Sequence, residues 1–289
     1  MEIPFVKMHG LGNDFVVVDC RDTDWGDWSH LAPALAHRRF GVGCDQVLLV
    51  RRSDRADLRM DIYNADGSRA EMCGNGIRCF ARYARDRLGW RGERLQVETL
   101  AGVVVPRFVG ELVEVDMGEP AFDPARIPVE AEAPVREAPL PMDGPDVKVT
   151  CVSMGNPHAV VFVDDAKTYP VEEMGPRIER HPWFPRRTNV EFVEVLGPDR
   201  IRMRVWERGA GVTLACGTGA SAAAVAAHWT GRTGPEVTVA MDGGELEIRW
   251  DRASGRVFMT GPAVEVFEGV YLATSRSDAG RLGSYSSGG

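Results

Sequence analysis

A repeat at one fixed offset limits most strongly how this 289-residue chain can fold. Cys73 in AEMCGNGIRCFARYA and Cys216 in TLACGTGASAAAVAA are each followed by Gly-x-Gly and a helical stretch, and they lie 143 residues apart (216 minus 73). The same offset relates four further pairs: Gly12-Asn13 with Gly155-Asn156, Gln46 with Asn189, Asn64 with Glu207, and Gly118 with Gly261. Anchors that keep one register over roughly a hundred residues indicate two copies of one unit.

The two copies span residues 1 to 118 and about 147 to 262. Residues 121–146 are rich in proline and acidic side chains and show no periodicity, which predicts an extended linker between the copies. Residues 275–289 are rich in serine and glycine, and we expect a disordered tail there.

Each copy is expected to contain strands, one helix and further strands. In the first copy, β-branched or alternating runs predict strands over 15–19, 47–51, 59–64, 95–108 and 111–117. Apolar residues at helical spacing predict a helix that starts after Cys73 and ends before Gly89. Its copy over 220–229 is nearly all alanine, which suits a helix buried on most sides. The predicted class is therefore α+β, with two pseudo-symmetric domains, each a barrel-like, mostly antiparallel or mixed β-sheet wrapped around a central α-helix.

Composition excludes several classes of function. The chain is 44% hydrophobic and 26% charged, which is ordinary for a globular protein. Its net charge of −8 and lack of a basic run argue against a nucleic-acid partner. No apolar run is long enough for a membrane span or a signal peptide, so we expect a cytoplasmic protein. Six cysteines without CxxC or HxxxH spacing predict free thiols, and neither a disulfide framework nor a metal site.

The two repeated cysteines suggest proton-transfer chemistry. Each starts a helix, where unpaired backbone N–H groups stabilise a thiolate. The glycines in Gly74-Asn75 and Gly217-Thr218 let backbone N–H groups approach a carboxylate or phosphate. Inversion of a carbon stereocentre needs a base on one face and an acid on the other. Two copies facing each other across an interdomain cleft would supply both, so we expect the active site there.

The other repeated positions are polar and predict a binding ring for a zwitterionic substrate. They are Asn13 with Asn156, Gln46 with Asn189, and Asn64 with Glu207, and Arg208 adds a cation for a carboxylate. A lone cysteine is more often a small buried apolar residue, and this interpretation applies to Cys20, Cys44, Cys79 and Cys151. His158 by itself is equally consistent with a loop histidine.

At these residues the sequence resembles the diaminopimelate epimerases over nearly the whole chain. The motifs that carry the resemblance are KMHGLGNDFVVVD, YNADGSRAEMCGNGIRC, GNPHAV, WERGAGVTLACGTGA and GPAVEVFEG. The resemblance implies a pyridoxal-independent, two-base isomerase that interconverts LL- and meso-2,6-diaminopimelate in lysine and peptidoglycan precursor biosynthesis. It implies a cytoplasmic homodimer without cofactor or metal. It further implies that a returning segment completes the first domain, which gives domains of 1–118 plus 263–274 and of 119–262.

Site residues follow from the same resemblance. It assigns the proton donor and acceptor to Cys73 and Cys216, and adjustment of the two thiols to His158 and Glu207. It assigns substrate contacts to Asn13, Gln46, Asn64, Gly74, Asn75, Asn156, Asn189, Glu207, Arg208, Gly217 and Thr218. Phe267 stands where some members have a tyrosine linked to dimerisation, which predicts a dimer contact at that position.

Three alternatives stay open. A proline-racemase-like enzyme would use two thiols in the same way, although its usual motif has histidine where Asn75 stands. A related isomerase without catalytic cysteines is disfavoured because Cys73 and Cys216 are present. A non-catalytic anion-binding module would use the two glycine-rich helix starts but does not explain the cysteines.

Overall fold

The computed structural model describes residues 1–23, 25–142 and 147–273, so the predicted tail at 275–289 lies outside the described residues. The helices are α1 Trp28–Ala36, α2 Gly74–Arg87, α3 Val171–Glu179 and α4 Gly217–Trp229, with a 3₁₀ turn at Pro124–Arg126. The strands are β1 Glu2–Gly10, β2 Asn13–Asp19, β3 Gln46–Arg51, β4 Leu58–Asn64, β5 Arg69–Ala70, β6 Val97–Thr99, β7 Gly102–Val104, β8 Arg107–Val109, β9 Leu112–Gly118, β10 Ala138–Leu140, β11 Val147–Ser153, β12 Pro157–Phe162, β13 Asn189–Gly197, β14 Arg200–Glu207, β15 Gly211–Thr213, β16 Glu236–Met241, β17 Gly244–Trp250, β18 Val257–Gly261 and β19 Val264–Leu272.

These elements form two compact units. Unit 1 contains residues 1–108 together with the described part of the segment that starts at Ala263. Unit 2 contains residues 109–262. Strand β9, which the repeat assigns to the first copy, lies in unit 2 and pairs with β18. Each unit combines a mixed sheet with two α-helices, which confirms the predicted α+β class.

The two sheets follow the same plan. Unit 1 has the strand order β19-β1-β2-β3-β4-β6-β7, with β5 beside β4. Unit 2 has the order β10-β11-β12-β13-β14-β16-β17-β18-β9, with β15 beside β14. The parallel pairs are β2–β3 and β4–β6 in unit 1, and β12–β13 and β14–β16 in unit 2. All other neighbours in these two orders are antiparallel.

The register of these pairs reproduces the sequence offset. Phe15 pairs with Gln46 in unit 1, and the residues 143 positions later, His158 and Asn189, pair with each other in unit 2. The antiparallel pair of Val47 with Tyr63 is repeated in the same way 143 residues later. Because a slip of one residue would turn every side chain of a strand to the other face, this shared register puts equivalent side chains in equivalent places.

The helix predicted after Cys73 is confirmed as α2, and its copy α4 starts three residues earlier than predicted, at Gly217. In α2 the apolar side chains Ile77, Phe80 and Ala81 are buried at helical spacing against β1, β2 and β3. In α4 ten residues are buried, so small alanines let several strands of unit 2 pack closely around it. Each unit therefore places one buried helix against its sheet, with a cysteine at its start.

Helices α1 and α3 were not predicted. Each contains an internal proline, Pro33 and Pro176, which reads as a helix breaker in the sequence. In unit 1, α1 contributes to a hydrophobic core in which its residues Trp28 and Leu35 pack against strand residues such as Val16. The predicted single strand over 95–108 is also divided, because a turn at residues 100–101 separates β6 from β7.

The segment predicted as an extended linker packs on unit 2 over its described residues, 121–142. Its apolar residues Ile127, Val135 and Leu140 are buried in the same core as Phe192. Strand β10 within this segment pairs with β11. Isolated apolar residues among prolines carry no periodicity, yet each fills a position in the core.

Strand β19 forms an edge of the unit 1 sheet, where it pairs with β1. Its exposed apolar side chains are Val264, Val266, Phe267, Val270 and Leu272. In the part of the chain described, no helix is long and apolar enough to cross a membrane.

Candidate active site

Cys73 is the N-cap residue of α2. Its extended backbone brings Sγ to 3.4 Å from the backbone N of Gly76, which donates a hydrogen bond to it. A Cβ at Gly76 would lie 3.2 Å from the Cys73 Cβ and 3.4 Å from Leu48 and Phe15, so a side chain there would need small movements of its neighbours. The helix start therefore directs a backbone donor at the thiol, as the sequence predicted.

Asn13 is placed beside Cys73 by the turn between β1 and β2. Leu11 and Gly12 both have positive φ, 58° and 88°, as a tight two-residue hairpin requires. Asn13 Oδ1 lies 3.8 Å from Cys73 Sγ and accepts a 3.2 Å hydrogen bond from Asn75 Nδ2. Asn13 Nδ2 donates to Asp45 Oδ2 at 2.8 Å, which fixes the amide with its oxygen toward the thiol.

A network of charges holds Asp45. Arg38 bridges Asp45 at 2.7 Å and Asp14 at 2.9 Å, and Lys7 contacts Asp14 at 2.6 Å. Burial by itself would raise the pKa of Asp14, but hydrogen bonds and charges from Arg38 and Lys7 outweigh burial and lower that pKa to about 2. None of these four residues was predicted as a site residue, although Asp45 directly precedes the repeated position Gln46.

Gln46 and Asn64 face each other on β3 and β4. Gln46 Nε2 donates to Asn64 Oδ1 at 2.8 Å, and Asn64 Nδ2 donates to Ser68 Oγ at 2.9 Å. Gln46 Oε1 and Asn75 Oδ1 are buried acceptors that have no hydrogen-bond partner among the described residues. Each of these two oxygens therefore has unused capacity to accept a hydrogen bond.

Cys216 repeats the arrangement of Cys73 in unit 2. It is the N-cap of α4, its Sγ accepts from the backbone N of Gly219 at 3.4 Å, and Thr218 Oγ1 lies 3.5 Å away. Burial raises the pKa of the Cys216 thiol, and negative charge on the Glu207 carboxyl, or on Glu191 when that group is ionised, raises it further. The Thr218 hydroxyl and the Gly219 N–H oppose that rise.

A chain of hydrogen bonds continues from Thr218 into the core of unit 2. Asn156 Nδ2 donates to Thr218 Oγ1 at 3.3 Å, and Asn156 Oδ1 lies 3.0 Å from His158 Nε2. His158 Nδ1 lies 2.7 Å from Glu191 Oε1, and both side chains are completely buried. Glu191 was not predicted as a site residue, although a glutamate within the apolar strand sequence NVEFV is a signal that marks it.

The remaining predicted residues of unit 2 form a second group. Asn189 Nδ2 donates to the Pro157 carbonyl at 2.9 Å, and Asn189 Oδ1 accepts from the backbone N of Arg208 at 2.8 Å. Glu207 accepts a short hydrogen bond from the Thr213 hydroxyl. The Arg208 side chain reaches the Arg186 carbonyl at 3.3 Å.

The structure thus groups the predicted residues into two clusters, one within each unit, which are named half-site 1 and half-site 2. Half-site 1 contains Asn13, Gln46, Asn64, Cys73, Gly74 and Asn75, and half-site 2 contains Asn156, His158, Asn189, Glu207, Arg208, Cys216, Gly217 and Thr218. Phe267 belongs to neither, since its ring packs edge-on against Phe5 at 5.9 Å. Within the described ranges, no group of three or more His, Cys, Asp or Glu residues is arranged to hold a metal ion.

Known proteins share both the sequence and the fold. The family profile described as "Diaminopimelate epimerase" matches residues 5–122 and 150–266. The diaminopimelate epimerase of Moorella thermoacetica is 54% identical over 272 residues, which cover 92% of this chain and 98% of that protein. That of Desulfitobacterium hafniense is 52% identical over 286 residues, which cover 96% of this chain and 100% of that protein.

Solved structures at low sequence identity share the fold. A PhzF-family phenazine biosynthesis protein of Bacillus anthracis has a TM-score of 0.71 at 18% identity, over 94% of this chain and 100% of that one. A hydroxyproline epimerase of Agrobacterium vitis, solved with trans-4-hydroxy-L-proline, has a TM-score of 0.67 at 17% identity, over 96% and 95% of the two chains. The similarity to both covers nearly the full length of this chain.

Proposed function

Because the chain belongs to the diaminopimelate epimerase family, we propose that Cys73 and Cys216 are the acid and the base of its reaction. The protein is an isomerase that interconverts LL- and meso-2,6-diaminopimelate. The observation that carries the proposal is the match between the two half-sites. Each thiol caps a buried helix and accepts a backbone N–H at 3.4 Å from the third residue of that helix.

The chemistry needs two proton transfers at one carbon. A thiolate removes the α-hydrogen as a proton and becomes a thiol, while the electron pair stays on the carbon next to the carboxylate. The second thiol then donates its proton to the opposite face and becomes a thiolate, so the configuration is inverted and the two cysteines have exchanged roles. Backbone N–H groups in Gly74-Asn75 and Gly217-Thr218 stabilise the substrate carboxylate. The scheme requires no cofactor.

Polar groups of the half-sites fit a zwitterionic substrate. The buried oxygens of Gln46 and Asn75 lack donors among the described residues, so a substrate ammonium group would satisfy them. Arg208 offers a guanidinium to a carboxylate, and Asn13, Asn64, Asn156 and Asn189 supply neutral amide contacts. His158 and Glu207 adjust the Cys216 thiol, which the Glu207 carboxyl makes harder to ionise.

The assembly is proposed to be a cytoplasmic homodimer, with diaminopimelate rather than nucleic acid or membrane as its partner. The supporting feature is the exposed apolar edge of β19, which includes Phe267, exposed by 47%. An unpaired edge strand with apolar side chains favours pairing with a second copy of the chain. The cytoplasm is where a lysine and peptidoglycan precursor would be made.

The decisive experiment follows hydrogen exchange at the substrate α-carbon. Purified protein incubated with LL-diaminopimelate in D₂O, without added cofactor, is expected to give the meso isomer and to incorporate deuterium. Cys73→Ala and Cys216→Ala are each expected to lose at least about 1,000-fold in kcat, because each removes one of two obligatory proton carriers. Cys79→Ala is the matched control, since burial raises the pKa of Cys79 to about 12 and keeps that thiol protonated.

Two outcomes would contradict this assignment. Absence of both exchange and meso product would refute the proposed chemistry. Either cysteine variant retaining more than about a tenth of the wild-type kcat would refute the two-base scheme.

A further inference from the structure

Half-site 2 holds a buried carboxyl that the proton transfers described above do not use. Glu191 lies in the middle of β13, between Val160 of β12 and Val205 of β14, and is completely buried. Its Oε1 lies 2.7 Å from His158 Nδ1. A Cβ on Gly219 would come within 2.9 Å of the same oxygen. The Glu191 carboxyl therefore occupies the space that a side chain at position 219, in the first turn of α4, would need. A buried carboxyl this closely fitted calls for a physical role.

The contacts of the pair determine where its protons are. A distance of 2.7 Å between His158 Nδ1 and Glu191 Oε1 places one proton between them. The other carboxyl oxygen, Oε2, is buried and has no hydrogen-bond partner among the described residues. An ionised carboxylate with one bare oxygen is costly in such a place, and burial raises the pKa of Glu191. The bare Oε2 and the short contact at Oε1 together favour a carboxyl that carries the shared proton and donates it to His158 Nδ1.

This proton arrangement sets the direction of the whole hydrogen-bond chain. With Nδ1 accepting, the imidazole hydrogen is on Nε2 and is donated to Asn156 Oδ1 at 3.0 Å. Asn156 then directs Nδ2 at Thr218 Oγ1, 3.3 Å away. Because Thr218 accepts from Asn156, its own hydroxyl hydrogen is free to point at Cys216 Sγ, 3.5 Å away.

The equivalent asparagine of half-site 1 is turned the other way. Positions 143 residues before His158 and Glu191 hold Phe15 and Leu48, which cannot donate or accept. There the Asp45 carboxylate accepts a hydrogen bond from Asn13 Nδ2, so Asn13 directs its Oδ1 at the thiol of Cys73. The two copies thus offer an acceptor to one thiol and a donor to the other.

We propose that Glu191, as a protonated carboxylic acid, is a positioning residue that holds His158 in the Nε2–H tautomer and so directs hydrogen-bond donors at Cys216. The inference rests on the proposed role of Cys216. The titratable groups facing this pair are Cys216 at the start of α4, Glu207 at the end of β14 and Cys151 on β11. Since Glu207 opposes ionisation of Cys216, the donors that Glu191 sets in place act against that effect.

Two substitutions separate this role from a simple packing role. Glu191→Leu places at β13 the residue that the first copy has at the equivalent position, and it removes the donor to Nδ1. Glu191→Gln keeps a donor, because its amide N–H can replace the carboxyl O–H. Folding of both variants is checked by circular dichroism and thermal unfolding.

The readout is the pH at which Cys216 is half-maximally alkylated by iodoacetamide, measured by peptide mass spectrometry without substrate. In Glu191→Leu this pH is expected to rise by about half a unit to one unit, because a hydrogen bond to the thiolate is lost. The kcat for epimerisation is expected to fall roughly 10- to 100-fold, as happens when the partner of an active-site histidine is removed. Glu191→Gln is expected to restore both values toward wild type, and alkylation of Cys73 is the internal control.

The sign of the shift decides the outcome. If Glu191 were ionised, both variants would remove a negative charge near Cys216 and shift its alkylation to lower pH, which would overturn the inference. An unchanged profile in Glu191→Leu, or equal profiles in the two variants, would also overturn it. Because alkylation is measured without turnover, these outcomes are distinct from a failure of the two-base scheme, which Cys216→Ala tests.

Discussion

Gly219→Ala is expected to destabilise unit 2, whereas Gly76→Ala at the equivalent position of unit 1 is not. Alanine is favoured over glycine within a helix by up to about 1 kcal/mol, and both variants gain this term. At Gly219 the new methyl would lie 2.9 Å from Glu191 Oε1 and 3.3 Å from Cys216 Sγ. Both atoms are in a packed core, where overpacking costs about 1–3 kcal/mol. Gly219→Ala should therefore lose up to about 2 kcal/mol of stability after the helix gain is subtracted.

Gly76→Ala is the matched control. Its methyl would meet Cys73 Cβ at 3.2 Å and the ends of two apolar side chains, Leu48 and Phe15, at 3.4 Å. These contacts relax by small movements, so the net change in stability should be close to zero. Urea unfolding measures both, and kcat of Gly219→Ala should also fall because the methyl displaces the carboxyl from His158. Equal stability of the two variants would refute the reasoning that the Glu191 carboxyl limits this helix start.

Two further predictions concern unit 1. The pKa of Asp14 is lowered to about 2 in the folded state. The ionised carboxyl therefore stabilises the folded state fully above the unfolded pKa near 4, and this stabilisation is lost as pH falls toward 2. Asp14→Asn should lower the free energy of unfolding, measured with urea at pH 7, by about 2 kcal/mol. The variant should also lose less stability than the wild type between pH 4 and pH 2, and an unchanged dependence of stability on pH in this range would contradict the prediction. Val270→Lys together with Leu272→Lys, both on the β19 edge, should give monomers in light scattering, whereas exposed Leu100→Lys should not.

The repeat was the most informative feature of the sequence, because one offset predicted equivalent strands, helices and caps in both copies. Gly-x-Gly after each cysteine predicted a helix start with free N–H donors, which α2 and α4 show. What the sequence did not predict are elements whose stability comes from packing. Helices α1 and α3 contain prolines but are held by buried apolar side chains. The buried residues of 121–142 follow no period because the core of unit 2, not local propensity, selects them.

The candidate site shows the same limit. Asn13 and Asn156 were recognised as equivalent, but the way each amide faces depends on partners that lie far away in the chain. Asp45 is 32 residues from Asn13, and Glu191 is 33 residues from His158. A repeat predicts that two side chains occupy matching places. It does not predict that a different neighbour turns one of them around.

The pairing of β1 with β19 has a consequence for synthesis. Met1 and Ala273 exchange two backbone hydrogen bonds at 2.8 Å, although they are 272 residues apart. At roughly 5–20 residues per second, a ribosome would deliver this partner about 15–50 s after β1. During that interval the β1 edge is open to wrong pairing with other nascent chains. A circular permutant that joins residue 273 to residue 1 and opens between residues 108 and 109 would make each unit continuous in sequence. It would also shorten the interval between the synthesis of β1 and that of its partner β19.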